Sequence, residues 1–166
     1  SPALTTAVRV GLREGALVVR FDGRDEGTVA TLRGRDGPLW REDVYEVFLS
    51  PFDPPSVYYE FEVNPLGTIF DTRIESPEGR RETMRSDVSW SLTGFSGRSR
   101  VRDGRWSAVV TIPLAPLAPA GLPKTWRANF VRVDRGATDE FSAWSPTLAD
   151  PPDFHVPAKL GFLDLL

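Results

Sequence analysis

The chain has no cysteine, two lysines, one histidine and one methionine among its 166 residues. Lacking cysteine, it can form no disulfide, thiolate metal site or cysteine nucleophile. His155 is the single histidine and stands in a proline-flanked loop, where packing or capping is its expected role. No apolar run approaches the roughly 18 residues of a transmembrane helix, and no signal peptide is recognisable. The net charge of −3 gives no general pull toward nucleic acid or an anionic membrane. Lys124 and Lys159 are the only lysines, so the basic charge is almost all arginine, as a GC-rich genome would produce. The length suits one domain over residues 1–166 with a full core, and a monomer is expected.

What the sequence does contain is alternation. Apolar residues recur with period two, broken at short intervals by Gly, Pro, Asp and Asn. This pattern predicts an all-β, antiparallel β-sandwich of immunoglobulin-like or jelly-roll type with little helix. Strands are expected over 16–22, 28–33, 43–50, 57–64, 68–73, 88–95, 99–102, 105–112, 126–133 and 158–165. Residues 74–87 read as a polar loop, and 113–119 as a proline-rich crossover with one helical turn. Asp103-Gly104 predicts a two-residue hairpin.

The clearest strand, 57–64, sends Val57, Tyr59, Phe61 and Val63 one way and Tyr58, Glu60, Glu62 and Asn64 the other. Asp71 and Arg73 share a face of the next strand, and Arg127 and Asn129 a face of a later one. Carboxylates, guanidinium groups and amides gathered on one sheet suit a polyhydroxylated ligand. Scattered surface ion pairs would give the same composition. Of the five tryptophans, Trp90 and Trp106 fall in alternating strands and are expected in the core, while Trp126 is left open. Trp40 and Trp144 sit at loop edges, where an indole can present a free face.

Several segments resemble carbohydrate-binding modules of family 9. The stretch from Leu39 to Leu49, with Trp40, Asp43 and Glu46-Val47-Phe48-Leu49, is similar to a W-x-x-D-x-V/Y-E-V-F-L motif of that family. Tyr59 to Asn64, then Pro65, Gly67, Asp71 and Arg73, is similar to the block that follows it. Trp106 to Pro113, Trp126 to Arg132, Ser142 to Pro146, and Phe154-His155 with Pro157 and Gly161 complete the match in order, from about Val8 onward.

The resemblance implies a non-catalytic sandwich that grips a mono-, oligo- or polysaccharide, often at a chain end, between two tryptophans. By position these are Trp40 and Trp144. Glu46, six residues after Trp40, has the spacing of a family contact to sugar hydroxyls. Asn64, Asp71, Arg73 and Asn129 complete the expected set, with Arg73 supplying a guanidinium that Glu62 does not match. Val109 stands where the family has a strand glutamate. Structural calcium is also implied, with Asp22, Asp25 and Glu26 as candidate ligands, since no EF-hand-type loop is present. No other cofactor is required, and an extracellular or periplasmic location is expected. Two rival readings stand beside this one. Glu60 and Glu62, with Cα atoms about 7 Å apart on one strand face, could serve glycoside hydrolysis given a deep cleft. Related sandwiches hold b-type haem, for which Met84, His155, Lys124 and Lys159 are the candidate axial ligands.

Overall fold

Period-two alternation resolves into two antiparallel sheets packed face to face, in a computed structural model that describes residues 3–165. The strands are β1 (Thr6–Arg13), β2 (Ala16–Arg24), β3 (Val44–Ser50), β4 (Val57–Val63), β5 (Ile69–Glu75), β6 (Arg85–Asp87), β7 (Ser96–Arg102), β8 (Arg105–Pro113), β9 (Thr125–Arg135), β10 (Asp139–Ala143) and β11 (Gly161–Asp164). The first sheet has the order β1-β2-β8-β7 and the second β10-β9-β3-β4-β5-β6; β11 pairs with β9 beside β10. Helical structure among the described residues is limited to single 3-10 turns, none long and apolar enough to cross a membrane. Ser1, Pro2 and Leu166, at the ends of the expected 1–166 domain, lie outside the described residues.

The core lies between the sheets. Leu17, Val19 and Phe21 of β2 and Trp106, Ala108, Val110 and Ile112 of β8 face Tyr45, Val47 and Leu49 of β3, Tyr59, Phe61 and Val63 of β4, and Trp126 and Phe130 of β9. Tyr45 is stacked between Phe21 and Trp106, with ring centroids 4.5 and 3.7 Å away. Arg132 is buried in this core. Its guanidinium donates to the Arg24 carbonyl and to Asp134, and it lies 5.8 Å from the centre of the Tyr45 ring. Trp106 and Trp126 are thus fully buried, and Trp90 packs against the core from a loop.

The Asp103-Gly104 hairpin forms as expected, both residues taking the positive φ that such a turn needs. Glu14-Gly15 makes the same turn and pairs β1 with β2, a strand that weak alternation had hidden. Two expected strands are absent. Residues 28–33 run without a strand partner because side chains take up their amides: Val29 N–H donates to Asp43 Oδ2 at 2.6 Å, and Thr31 N–H to Glu42 Oε2 at 2.6 Å. Residues 88–95 fold into successive turns, with Gly94 at φ +86 and the Leu92 N–H donating to Asp71 Oδ2 at 2.5 Å. β6 lies inside the segment read as a loop, and β10 was not foreseen.

Candidate functional site

The face of the second sheet that is turned away from the first carries the acidic residues. Strand register decides which. Glu46 of β3 lies directly opposite Glu62 of β4, and Phe48 opposite Glu60. Like charges facing each other across a strand pair are destabilising. Yet all three glutamates are buried, at 3%, 5% and 0% exposure for Glu46, Glu60 and Glu62. One carboxylate oxygen from each lies within 4.8 Å of the other two. Both oxygens of Glu62 lack any hydrogen-bond partner among the described residues. Burial, with the charge of Glu60 next, holds Glu46 and Glu62 well above the usual carboxylate range; Arg135 partly offsets this at Glu46. Burial raises Glu60 as well.

Glu46 and Glu60 open onto a cavity of about 420 Å³. Phe70 and Thr72 of β5 and Val133 of β9 extend its base. Trp40 forms one wall from the 3-10 turn Leu39–Arg41, 42% exposed and edge-on to Phe70 at 5.4 Å. Phe141 of β10 and the 152–155 loop form another, and Arg81 and Met84 approach from the segment before β6. His155 sits over the base: its Nδ1 is 3.1 Å from the Tyr58 hydroxyl and its Nε2 3.8 Å from Glu60. Burial, with Arg81 nearby, pushes its pKa down to about 4, so the imidazole is neutral at ordinary pH. The wall arginines already have partners. Arg135 pairs with Asp139 and donates to the Trp40 carbonyl at 3.0 Å, and Arg81 lies 3.4 Å from Asp153.

Two of the seven expected ligand-binding residues, Trp40 and Glu46, meet in this cavity. The other five do not line it. Asp71 and Arg73 share the face of Phe61 and Tyr59, their partners in register, and so point to the opposite side of the sheet. There Asp71 accepts from Arg35 and the Leu92 N–H, and Arg73 pairs with Glu75. Asn64 is buried and organises its own turn: Oδ1 accepts from the Leu66 and Thr68 amides and Nδ2 donates to the Leu32 carbonyl. Asn129 likewise clasps Ser145, accepting from its N–H at 2.9 Å and donating to its carbonyl at 2.8 Å. Trp144 follows Ala143 on β10 and falls on the inner side of the sheet, against Phe130 and over Gly161, where a Cβ would come within 2.4 Å of the indole. It lines a separate cavity with Val8, Phe21 and Phe130. The structure therefore does not bring Trp40 and Trp144 together.

Sequence reasoning did not bring Phe141 or the 152–155 loop to the site, although Phe154-His155 stood in the family match and His155 in a proline-flanked loop. Both reach the cavity from far along the chain. Met84 and His155 do meet, both hydrogen-bonded to the Tyr58 hydroxyl, at 3.1 Å each. Neither candidate lysine lines this cavity.

A second acidic cluster lies near the ends of β2, β3 and β9. Asp25, Asp43 and Asp134 are buried, with one oxygen from each within 4.8 Å of the others. Asp25 Oδ1 has no partner among the described residues. Three carboxylates and an orphaned oxygen fit a hard cation, which takes oxygen ligands. Of the calcium candidates, Asp25 belongs to this cluster. Asp22 is instead paired with Arg9 and Arg20, and Glu26 with Arg24.

Comparison with known proteins agrees with the architecture. The sequence pattern of carbohydrate-binding family 9 matches residues 4–165. A crystal structure from Bacteroides uniformis, provisionally described as a carbohydrate-binding protein, superposes with a TM-score of 0.79 at 22% identity, covering 97% of this chain and 78% of that one. Two structures of a family 9 module from Caldicellulosiruptor kristjanssonii share the fold. The complex with glucose has a TM-score of 0.66 at 12% identity over 100% of this chain and 78% of that one. The complex with cellotriose has 0.67 at 11% identity over 99% and 76%. A protein of the fungus Arthroderma benhamiae described as extracellular is 26% identical over 173 residues, spanning 93% of this chain and 76% of its own length.

Proposed function

This chain belongs to carbohydrate-binding family 9, and from that premise we propose that the cavity beside Trp40 is its sugar site and that binding is the whole of its function. The observation that carries the reading is an exposed indole standing beside buried carboxylates in one cavity. A pyranose has apolar C–H faces that stack on an aromatic ring and a rim of hydroxyls that donate to carboxylates. In this reading Trp40 is the stacking wall, Glu46 and Glu60 accept from the hydroxyls, and Thr72 adds a third polar group. Trp144 has no part in the grip; Phe141 and Phe154 supply the wall opposite Trp40. A cavity walled on both sides suits a terminal sugar unit better than the middle of a continuous chain. The glutamates project side by side from one face of β3 and β4, and membership of a family of binding modules favours binding over hydrolysis. A secreted location follows the description of the fungal relative. Calorimetry with free mono- and oligosaccharides is expected to show binding of at least one glucose-type sugar; a folded protein that binds no sugar across an array of glycans would overturn the proposal.

The Asp25, Asp43 and Asp134 cluster is proposed as the calcium site, tying residues 25–29 to β3 and β9. Chelator is then expected to lower the melting temperature by several degrees and added calcium to restore it. Asp43→Asn should remove the response to both. A melting curve indifferent to chelator would argue against a cation there.

A further inference from the structure

Resting on the reading of the cavity as a sugar site, we propose that its ligand is an amino sugar with a free, protonated amine, held by Glu46, Glu60 and Glu62. Hydroxyls alone leave the chemistry of the floor incomplete. One oxygen from each of the three buried glutamates lies within 4.8 Å of the other two, Glu46 and Glu60 lining the cavity and Glu62 fully buried beside them. No cationic side chain pairs with Glu46 or Glu62 among the described residues, and the contact of Glu60 is with His155 at 3.8 Å, an imidazole already engaged by Tyr58. Arg81 and Arg135 face Asp153 and Asp139. Glu62 in particular is fully buried with both oxygens partnerless. A neutral sugar can donate hydrogen bonds here but brings no positive charge, and an unpaired buried carboxylate is costly.

An ammonium group can serve several acceptors at once. Its three N–H donors, each about 2.8 Å from an acceptor in tetrahedral directions, reach oxygens up to about 4.6 Å apart, and the three glutamate oxygens lie within 4.8 Å of one another. The surrounding rings add to the case. Trp40, Phe70 and Phe141 line the same cavity, and aromatic faces attract a desolvated cation while stacking on the sugar ring. A divalent cation is the rival occupant of the cup, since the same three carboxylates could ligate one; the aromatic lining, which suits a sugar ring, favours the amine. An N-acetylated sugar has lost the charge and gained bulk at the same position, so it is expected to bind as poorly as the neutral sugar or worse.

The test is calorimetry at about pH 6.5 in the presence of chelator, with glucosamine, glucose and N-acetylglucosamine as the probes and calcium alone in a separate titration without chelator. Glucosamine is expected to bind at least tenfold more tightly than either neutral sugar. In Glu62→Gln, checked for fold by circular dichroism, that preference should fall to threefold or less while glucose affinity changes little; in Glu46→Gln the preference should fall as far, with both sugars bound more weakly because Glu46 also accepts from the hydroxyls. Equal affinities for glucosamine and glucose would overturn the ammonium inference and leave the sugar site standing. A preference that survives in both variants would overturn it too, because the amine would then be read elsewhere. If no sugar binds but calcium does, and the calcium signal disappears in Glu62→Gln, both the inference and the sugar reading fall and the cup is a metal site.

Discussion

Glu62→Gln is expected to melt about 5–10 °C above the parent protein near pH 8, with the gap closing toward pH 5. The carboxyl of Glu62 has no donor, lies opposite Glu46 and sits beside Glu60. Burial and these neighbours raise its pKa in the folded chain well above the 4.5 of a free glutamate. A raised acid contributes stability that is full below its unfolded pKa and is lost as pH rises through the folded one. His155 works in the opposite sense. Its folded value of about 4 lies below the ordinary 6.5, so its contribution is present above pH 6.5 and lost as pH falls toward 4. Above pH 6.5 the carboxylates therefore act without His155, and there the substitution should show its full effect. Leaving a buried polar group unpaired costs about 1–3 kcal/mol, more when it is charged, and each kcal/mol moves the melting point of a domain this size by roughly 2–4 °C. Glutamine keeps the shape, cannot ionise, and can donate to the two remaining carboxylates. Thermal melts of both proteins from pH 5 to 9 in chelator would check this; parallel curves would mean that the three charges do not destabilise one another.

Trp40→Ala is expected to weaken sugar binding by roughly tenfold or more, and Trp144→Ala to change it by less than about threefold. Stacking contributes about 0.5–1.5 kcal/mol beyond burial, and the apolar area covered by the sugar adds at about 25 cal/mol per Å². Together these reach the 1.4 kcal/mol that corresponds to tenfold. Trp144 should instead show its loss in stability, because its indole covers Gly161 of β11 and packs on Phe130. Measuring affinity and melting temperature on both variants separates the two roles. Equal loss of binding in both would restore a grip between two tryptophans, which the present arrangement of β10 does not allow.

How far the site could be read in advance followed from where register enters. Alternation within one strand was enough to place Glu60 and Glu62 on the face opposite Phe61, because the period is internal to residues 57–64. Alternation does not say which residue of β5 lies opposite Phe61. That residue is Asp71, so Asp71 and Arg73 turn inward, away from the acidic floor. Asn64 and Asn129 have the right chemistry for a sugar, but turns took up their amides: one caps the 64–68 turn and the other fixes Ser145. The side of the sheet on which Trp144 falls was hidden for a related reason. The short, polar β10 gave no alternation to show that residue 144 falls on the same side as Ser142. The hairpin at Asp103-Gly104 and the buried Trp106 were legible because turn chemistry and a strong apolar alternation act locally.

The most direct test of the account is an amide and indole ¹⁵N–¹H spectrum recorded during titration with a sugar that binds. The five tryptophans provide five indole N–H signals, of which Trp106 and Trp126 are buried in the core and Trp40 and Trp144 are exposed on opposite sides of one sheet. The Trp40 indole and the amides of Glu46, Glu60, Thr72 and His155 are expected to shift with the sugar, and the Trp144 indole to stay in place. A spectrum in which Trp144 moves and Trp40 does not would contradict the account and move the site to the other face of the sheet.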